Sequence, residues 1–275
     1  MRETSNSNEY CDKACRFIPY YDQVEICQTC GLGRTLLAGR VPELQDYSQH
    51  DAEGHAFKKA HLLFVFKRYL HSAEPRSLLD IGCADGILID IAASEGWRVT
   101  GVDSHSANSS PHVVTGRFLD HHFTARFDAL TLIHSFEHMD DPRATLLKCR
   151  SLIEGQGRLL IVVPNFGGWW AQIMGADWQW LNADDHRYHF TEVALRRLLE
   201  QAGFRIEFVT TNSAYAPSLV EMFLSSRGVF DWPMFRWRPI RSLLYKASRH
   251  SGFIFNRVTD LLGNGAELQV LARPA

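Results

Sequence analysis

The chain has 275 residues, 45% of them hydrophobic and 22% charged, enough for one large domain with an appendage, or two small ones, around a substantial core. A formal net charge of −2 gives no global pull toward nucleic acid or another acidic polymer, and 12% aromatic content excludes disorder for most of the chain. No apolar run reaches the ~18 residues of a membrane span, and the opening MRETSNSNEY lacks the apolar core of a secretory signal, so a soluble cytoplasmic protein is expected.

The first predicted unit is set by cysteines. Four of the six fall in the first thirty residues, as Cys11-x3-Cys15, eleven residues, then Cys27-x2-Cys30-Gly31. Two short-spaced thiolate pairs can close a tetrahedron around zinc, and a glycine after the second pair suits a tight knuckle. Phe17, Ile18, Tyr20, Tyr21, Val24 and Ile26 read as a short hairpin between the pairs. A unit of about forty residues has too little core to hold itself, so a structural zinc would supply its folding energy. Four thiolates leave no open position, which argues against a catalytic metal. Cys83 and Cys149 stand alone, and 39–52 is the one linker-like stretch.

A helix is predicted from Asp51 to about Leu70, with Phe57, His61, Phe64, Val65 and Tyr69 near one face. Ser77–Ile81 is a short apolar run suited to a buried strand. Gly82-Cys83-Ala84-Asp85-Gly86 follows, then an apolar helix from Ile87 to about Ser94 that Gly96 stops. Arg98–Asp103 is a second strand ending in an acid. Strand, glycine loop, helix, strand and terminal acid make one unit of a doubly wound sheet.

The loop itself narrows the ligand. A dinucleotide fold places glycines at relative positions 1, 3 and 6, so that backbone amides reach a pyrophosphate. Here they stand at 1 and 5, with Ala84 at 3 and Ile87 at 6, and Asp85 would set negative charge beside a phosphate. A cationic, phosphate-free ligand suits this loop better. S-adenosylmethionine, with a sulfonium, an amino-acid tail and an adenosine, is such a ligand.

The run Leu78-Leu79-Asp80-Ile81-Gly82-Cys83-Ala84-Asp85-Gly86 resembles the first motif of class I S-adenosylmethionine-dependent methyltransferases, roughly D-x-G-x-G-x-G, with Ala84 replacing the middle glycine. Phe127-Asp128-Ala129-Leu130 followed by Ser135-Phe136-Glu137-His138 resembles the family's fourth strand and its terminal "EH" signature. Arg158 to Asn165 resembles the fifth strand. His186-Arg187-Tyr188-His189-Phe190-Thr191, with Gln201-Ala202-Gly203-Phe204 after it, resembles a segment of the small-molecule subgroup. The match covers roughly 50–212. An N-terminal cysteine-rich knuckle is similar to that of some bacterial relatives, including sugar methyltransferases.

The resemblance implies roles residue by residue. Asp80 and Gly82 would lie against the methionine tail, with Gly86 at the helix start and Cys83 among the cofactor-binding residues of the same loop. Asp103 would hold the ribose, although Ser104 and Ser106 after it also suit an ordinary helix cap. Gly116-Arg117-Phe118 falls where the family cups the adenine, and His134 and Ser135 would face the sulfonium and the acceptor. Glu137 and His138 would mainly brace the loop.

Methyl transfer to a hydroxyl needs alignment, exclusion of water and removal of a proton. Histidine is the natural base near neutral pH, and His122, His134, His138, His186 and His189 are candidates by position. His186 is preferred as catalytic residue because it sits where the resembling motif places a substrate-side histidine, with His189 next. Asp184 and Asp185 precede it where sugar C-methyltransferases carry tyrosine and glutamate, which favours O-methylation. Phe166, Trp169, Trp170, Trp178 and Trp180 form an aromatic insertion, one or two of them expected to line the acceptor pocket and the rest to pack it onto the sheet edge. Residues 227–257 hold seven Lys/Arg and one acid among aromatics, and 240–250 suits a basic amphipathic helix for an anionic lipid surface or a solvated lid. Glu267–Ala272 alternates and would complete the sheet.

The expected architecture is α/β: a Rossmann-like, doubly wound, mostly parallel seven-stranded sheet, with a small N-terminal zinc-ribbon-like unit and a helical, aromatic cap. The expected division is 1–40 for the zinc unit and 41–275 for the methyltransferase domain, with the cap at about 166–186. The expected activity is transfer of a methyl group from S-adenosylmethionine to a small acceptor, a hydroxyl of a sugar-like, lipid-linked or secondary-metabolite substrate. Two rivals stand beside it: a cofactor-binding member without turnover, and a modifier of protein or RNA, the latter disfavoured because the first forty residues are not strongly basic.

Overall fold

Three short strands, β1 (Phe17–Tyr21), β2 (Val24–Cys27) and β3 (Gly33–Thr35), precede a helix, α1 (Ala52–Val65), that runs on as a π-helical turn over Phe66–Leu70. There follow β4 (Ser77–Ile81), α2 (Ile87–Ser94), β5 (Arg98–Asp103), β6 (Val113–Thr115), β7 (Phe127–Ile133), α3 (Pro142–Leu152) and β8 (Ile153–Pro164). The chain continues through α4 (Trp169–Met174), β9 (Tyr188–His189), α5 (Glu192–Gln201), β10 (Phe204–Asn212), α6 (254–261) and β11 (Glu267–Pro274). The computed structural model describes residues 16–21, 23–36, 52–71, 76–105, 110–213 and 254–275.

Seven strands form one sheet in the order β10-β11-β8-β7-β4-β5-β6. The strands from β6 to β8 run parallel, and β11 inserts antiparallel to both β8 and β10. This is the predicted mostly parallel sheet with helices on both faces. β4 lies inside it, between β7 and β5, because Leu78, Leu79 and Ile81 are apolar on both faces, and all three are fully buried. Each such side chain contributes about 1.5–3 kcal/mol by leaving water. α3 starts where Asp141 accepts the Ala144 N–H at 2.8 Å, with Pro142 in the first turn. α5 starts in the same way at Thr191.

β4, α2 and β5 fall where the sequence places them. β8 begins five residues earlier than the predicted Arg158, at Ile153. The pairing with β7 jumps from Phe127↔Ile153 to Ala129↔Arg158, so Glu154-Gly155-Gln156-Gly157 is an excursion inside a strand rather than a connection before one. In α1 the buried stripe is His61, Leu62, Val65 and then Phe66, Tyr69 and Leu70, whereas Phe57 and Phe64 face outward. The predicted face is therefore only partly the buried one: His61, Val65 and Tyr69 lie inside, and Leu62, Phe66 and Leu70 take the places of the two phenylalanines.

A second sheet, in the order β1-β2-β3-β9, joins the N-terminal hairpin to the segment just before α5. β3 pairs with β9 through Gly33↔His189 and Arg34↔Tyr188. Cys27, Cys30 and Leu32 belong to the same core cluster as Phe136, Phe190 and the sheet interior. Gly33 permits this approach: a Cβ there would stand 2.9 Å from both His189 Cβ and Phe166 Cε1. Phe166, Trp170 and Trp178 of the cap are buried with Val24 and Ala266, so most of the aromatic insertion anchors the hairpin and cap to the sheet edge. Cys11, Cys15, most of 227–257 and the predicted 240–250 helix lie outside the described residues. Among the described residues no helix is long and apolar enough to cross a membrane.

Candidate functional site

Parallel strands bring their C-terminal ends to one rim, and β4, β5 and β7 deliver the chemistry there. After β4 the chain turns through Gly82 at φ +79°, Ala84 at φ +45° and Gly86 at φ +78° before α2 begins. Gly82 N–H donates to Val102 O at 2.8 Å, which ties the turn to β5. Asp103, at the end of β5, accepts from Ala84 N–H at 2.9 Å and His105 N–H at 2.8 Å. Its carboxylate is thus fixed in direction while keeping lone pairs for a further donor pair.

Asp80 accepts from Thr131 Oγ1 at 2.6 Å inside the sheet. Burial, with the nearby Asp103 and Asp85 carboxylates, pushes its pKa up to about 7. Lys58 reaches Asp85 at 2.9 Å. Three acids crowd this turn, and that donor set fits a cationic ligand better than a phosphate. Cys83 is buried, with burial raising its thiol, and its Sγ lies where a Gly101 side chain would go. Phe118 is buried in the main core beside Phe123. Ser135 donates to Ile81 O at 2.6 Å and presses on Gly82.

Beyond the turn, imidazoles and carboxylates alternate along the rim. His61 Nε2 lies 3.3 Å from Glu267 Oε1, and Glu267 Oε2 lies 3.0 Å from His134 Nε2. His134 Nδ1 then stands 3.6 Å from Glu137 Oε1. Glu137, His138 and His186 bring one ligand atom each within 4.8 Å of one another, as do His61, His134 and Glu267. These two groups are the candidates for holding a cation among the described residues. Glu137 is buried and, among the described residues, neither carboxylate oxygen has a hydrogen-bond partner, an expensive arrangement unless positive charge is close. Burial would raise its pKa, but the surrounding histidines hold it down at about 2. For His134 burial would lower the pKa, and the two glutamates outweigh that and raise it.

His186 is buried, and its Nδ1 donates to Trp180 O at 2.9 Å, which leaves the lone pair on Nε2. Its ring meets His138 edge to face at 4.7 Å. Burial lowers its pKa to about 4. His138 Nδ1 lies 3.2 Å from Asp185 Oδ1. His189 is buried further back, with Nε2 3.0 Å from Thr35 Oγ1, and burial lowers its pKa to about 3. Trp180 is the cap aromatic that meets the rim, its ring 5.9 Å from His134.

The structure therefore gathers His134, Ser135 and His186 with Glu137 and His138, and sets Asp80, Gly82, Gly86 and Asp103 in one adjoining turn. His189 lies behind this rim rather than on it. His61, Glu267 and Thr35 were not singled out by the sequence reading. The available signal for Glu267 was a pair of polar residues, Glu267 and Gln269, two apart in the otherwise apolar run to Ala272, both fully buried.

The methyltransferase domain family matches residues 48–208. A ubiquinone biosynthesis O-methyltransferase of Erwinia tasmaniensis is 28% identical over 119 residues, 38% of this chain and 49% of that protein. The chain spans about half the length of the first curated relatives it matches, at 49%, 52% and 51%. A ubiquinone biosynthesis O-methyltransferase of Xanthomonas axonopodis pv. citri is 29% identical over 214 residues, covering 69% of this chain and 88% of its own. A solved S-adenosylmethionine-dependent methyltransferase from Archaeoglobus fulgidus shares the fold at TM-score 0.52 and 16% identity, over 81% of this chain and all of its own.

Proposed function

The chain belongs to the methyltransferase domain family, and on that basis we propose that it transfers a methyl group from S-adenosylmethionine to a hydroxyl of a small acceptor. The observation that carries the reading is the meeting of the three-acid glycine turn with the Glu137–His186 group at one rim of the sheet. The O-methyltransferase relatives support a hydroxyl acceptor, and the aromatic cap suits an apolar or sugar-like one.

Bound S-adenosylmethionine supplies a methyl group on a sulfonium whose leaving group is a neutral thioether. The chain's own part is positioning and proton removal. Asp103, fixed by two backbone amides, offers its free lone pairs to the ribose hydroxyls, while Asp80, Asp85 and Asp103 favour the cation. His186 Nε2 would take the proton of the acceptor hydroxyl as that oxygen gains the methyl group, the neutral thioether being the leaving group. The buried Glu137 carboxylate beside it compensates the imidazolium that results. Trp180 fixes the His186 tautomer through its carbonyl.

Isothermal titration with S-adenosylhomocysteine, followed by incubation with methyl-labelled S-adenosylmethionine and fractionated bacterial extract, tests this. Label in a small polar or lipid-linked fraction supports the reading. Label confined to protein or RNA overturns the acceptor class, and intact cofactor binding with no label in any fraction favours the non-catalytic member.

A structural zinc held by Cys11, Cys15, Cys27 and Cys30 is part of the same proposal. In its support, Cys27 and Cys30 are buried at one turn, Thr29 N–H donates to Cys27 Sγ at 3.4 Å, and Gly31 takes φ +72°. Metal analysis of fresh protein is expected to give about one equivalent of zinc; under about half would remove it.

A further inference from the structure

We propose that His61, His134 and Glu267 form a divalent-cation site whose open side holds the acceptor oxygen; this deepens the hydroxyl-acceptor reading and rests on it. Three elements far apart in sequence supply one ligand atom each: α1, the turn after β7, and the start of β11. Those atoms lie within 4.8 Å of one another, with the carboxylate oxygens 3.3 Å from His61 Nε2 and 3.0 Å from His134 Nε2. Neighbouring ligands around a single ion bound at ~2.0–2.2 Å keep roughly such spacings.

The surroundings orient the set as the outer partners of a metal site do. Glu267 Oε1 is held by Asn212 Nδ2 at 3.0 Å and by the Gln269 amide, and Tyr69 OH donates to Gln269 Oε1 at 2.6 Å. Glu267 and His61 are buried, whereas the His134 side chain keeps 34% of its surface exposed, with the Trp180 ring 5.9 Å from its own. His134 also adopts φ +49°, a backbone region that non-glycine residues rarely occupy and that recurs at ligand clamps. That turn is tied down by His134 N–H on Val162 O at 2.8 Å and by Ser135 against Gly82. His134, the exposed member of the set, thus stands between the glycine turn and the cap.

The donor set chooses the ion. Two imidazoles with one carboxylate suit Mn²⁺, Fe²⁺, Co²⁺ or Zn²⁺, whereas Mg²⁺ and Ca²⁺ prefer oxygen throughout. A cation here would bind the acceptor hydroxyl and lower its pKa before His186 takes the proton.

The test uses the full chain, stripped with chelator, saturated with S-adenosylhomocysteine and titrated with Mn²⁺ while free ion is read by electron paramagnetic resonance. Wild type is expected to bind Mn²⁺ with electron–nuclear couplings from two imidazole nitrogens. Glu267→Gln is expected to weaken that binding by at least about tenfold, and His61→Asn to remove one nitrogen coupling. S-adenosylhomocysteine titration of each variant reports its fold; if Glu267→Gln fails that check, His61→Asn decides. No Mn²⁺ binding by wild type overturns the site, as does binding unchanged in both variants or lost only in His138→Gln, which would move the ion to the Glu137 group. Failure of the methyltransferase reading would look different: Mn²⁺ would bind and S-adenosylhomocysteine would not.

Discussion

Thr35 Oγ1 stands 3.0 Å from His189 Nε2 and donates its one proton to the His186 carbonyl at 2.6 Å, so His189 must be the donor in their contact. The cysteine-bearing hairpin thereby fixes the backbone at His186, the proposed base, and the tautomer of His189. Thr191 Oγ1 on Cys30 O at 2.8 Å adds a tie from the other side.

Thr35→Val keeps the shape and removes both bonds. Two buried groups, the His186 carbonyl and the His189 N–H, lose their partner, at about 1–3 kcal/mol for each left unsatisfied. Turnover with the acceptor should fall about tenfold or more, while affinity for S-adenosylhomocysteine, whose proposed seat is the glycine turn, stays within about twofold. Equal loss of both would show that the hairpin supports the whole domain and not the acceptor side.

Acid stability follows from the buried titratable groups. Burial holds His186 at about 4 and His189 at about 3, below the ordinary 6.5, so the unfolded chain takes up their protons first as pH falls. Each costs up to ~1.4 kcal/mol per pH unit below ~6.5 until its folded value is reached. Asp80 and Asp185, raised by burial to about 7 and about 6, work the other way, because the folded chain holds their protons while the unfolded one has released them. His189→Gln should therefore flatten the fall of the urea midpoint between pH 6.5 and about 4, and Asp80→Asn should steepen it. Parallel curves for wild type and His189→Gln would show that His189 is already charged in the fold.

Gly82→Ala tests the turn itself. The added Cβ would strike the Ser135 side chain, and the backbone at φ +79° is strained for any L residue. The two effects together should cost about 2–4 kcal/mol and weaken S-adenosylhomocysteine binding. Ser135→Gly in the same chain should restore only part of the stability, because the positive φ remains; full restoration in urea unfolding would assign the whole cost to the clash.

The sheet was legible because β4, α2 and β5 carry local signals: an apolar run, a glycine turn and a terminal acid within about thirty residues. The placing of Asp80, Gly82, Gly86 and Asp103 about one turn was legible for the same reason, their part in cofactor binding being what we propose. The histidine–carboxylate chain was not. His61, His134 and Glu267 are 73 and 133 residues apart along the sequence, and only the antiparallel insertion of β11 beside β8 places Glu267 on the rim. The pairing of β3 with β9 was hidden in the same way, since a two-residue strand has no periodicity to read. His189 shows the converse: its motif position suggested chemistry, and its burial behind Phe166 and Thr35 gives it a supporting place instead.

Asp80 offers the most direct view of the cofactor half. Its pKa of about 7 arises from burial and from the neighbouring Asp103 and Asp85, so near neutrality it is partly protonated. A sulfonium and an ammonium arriving at this turn add positive charge beside it, which favours the carboxylate and lowers its pKa. Binding of S-adenosylmethionine at pH 6.5 should then release part of a proton, and the apparent binding enthalpy should vary with the ionisation enthalpy of the buffer. Asp80→Asn has no proton to release, so the dependence should vanish even where affinity persists. Buffer-independent enthalpy in the wild type at pH 6.5 would mean that Asp80 is charged before the ligand arrives, and that Thr131 and Lys58 outweigh its burial.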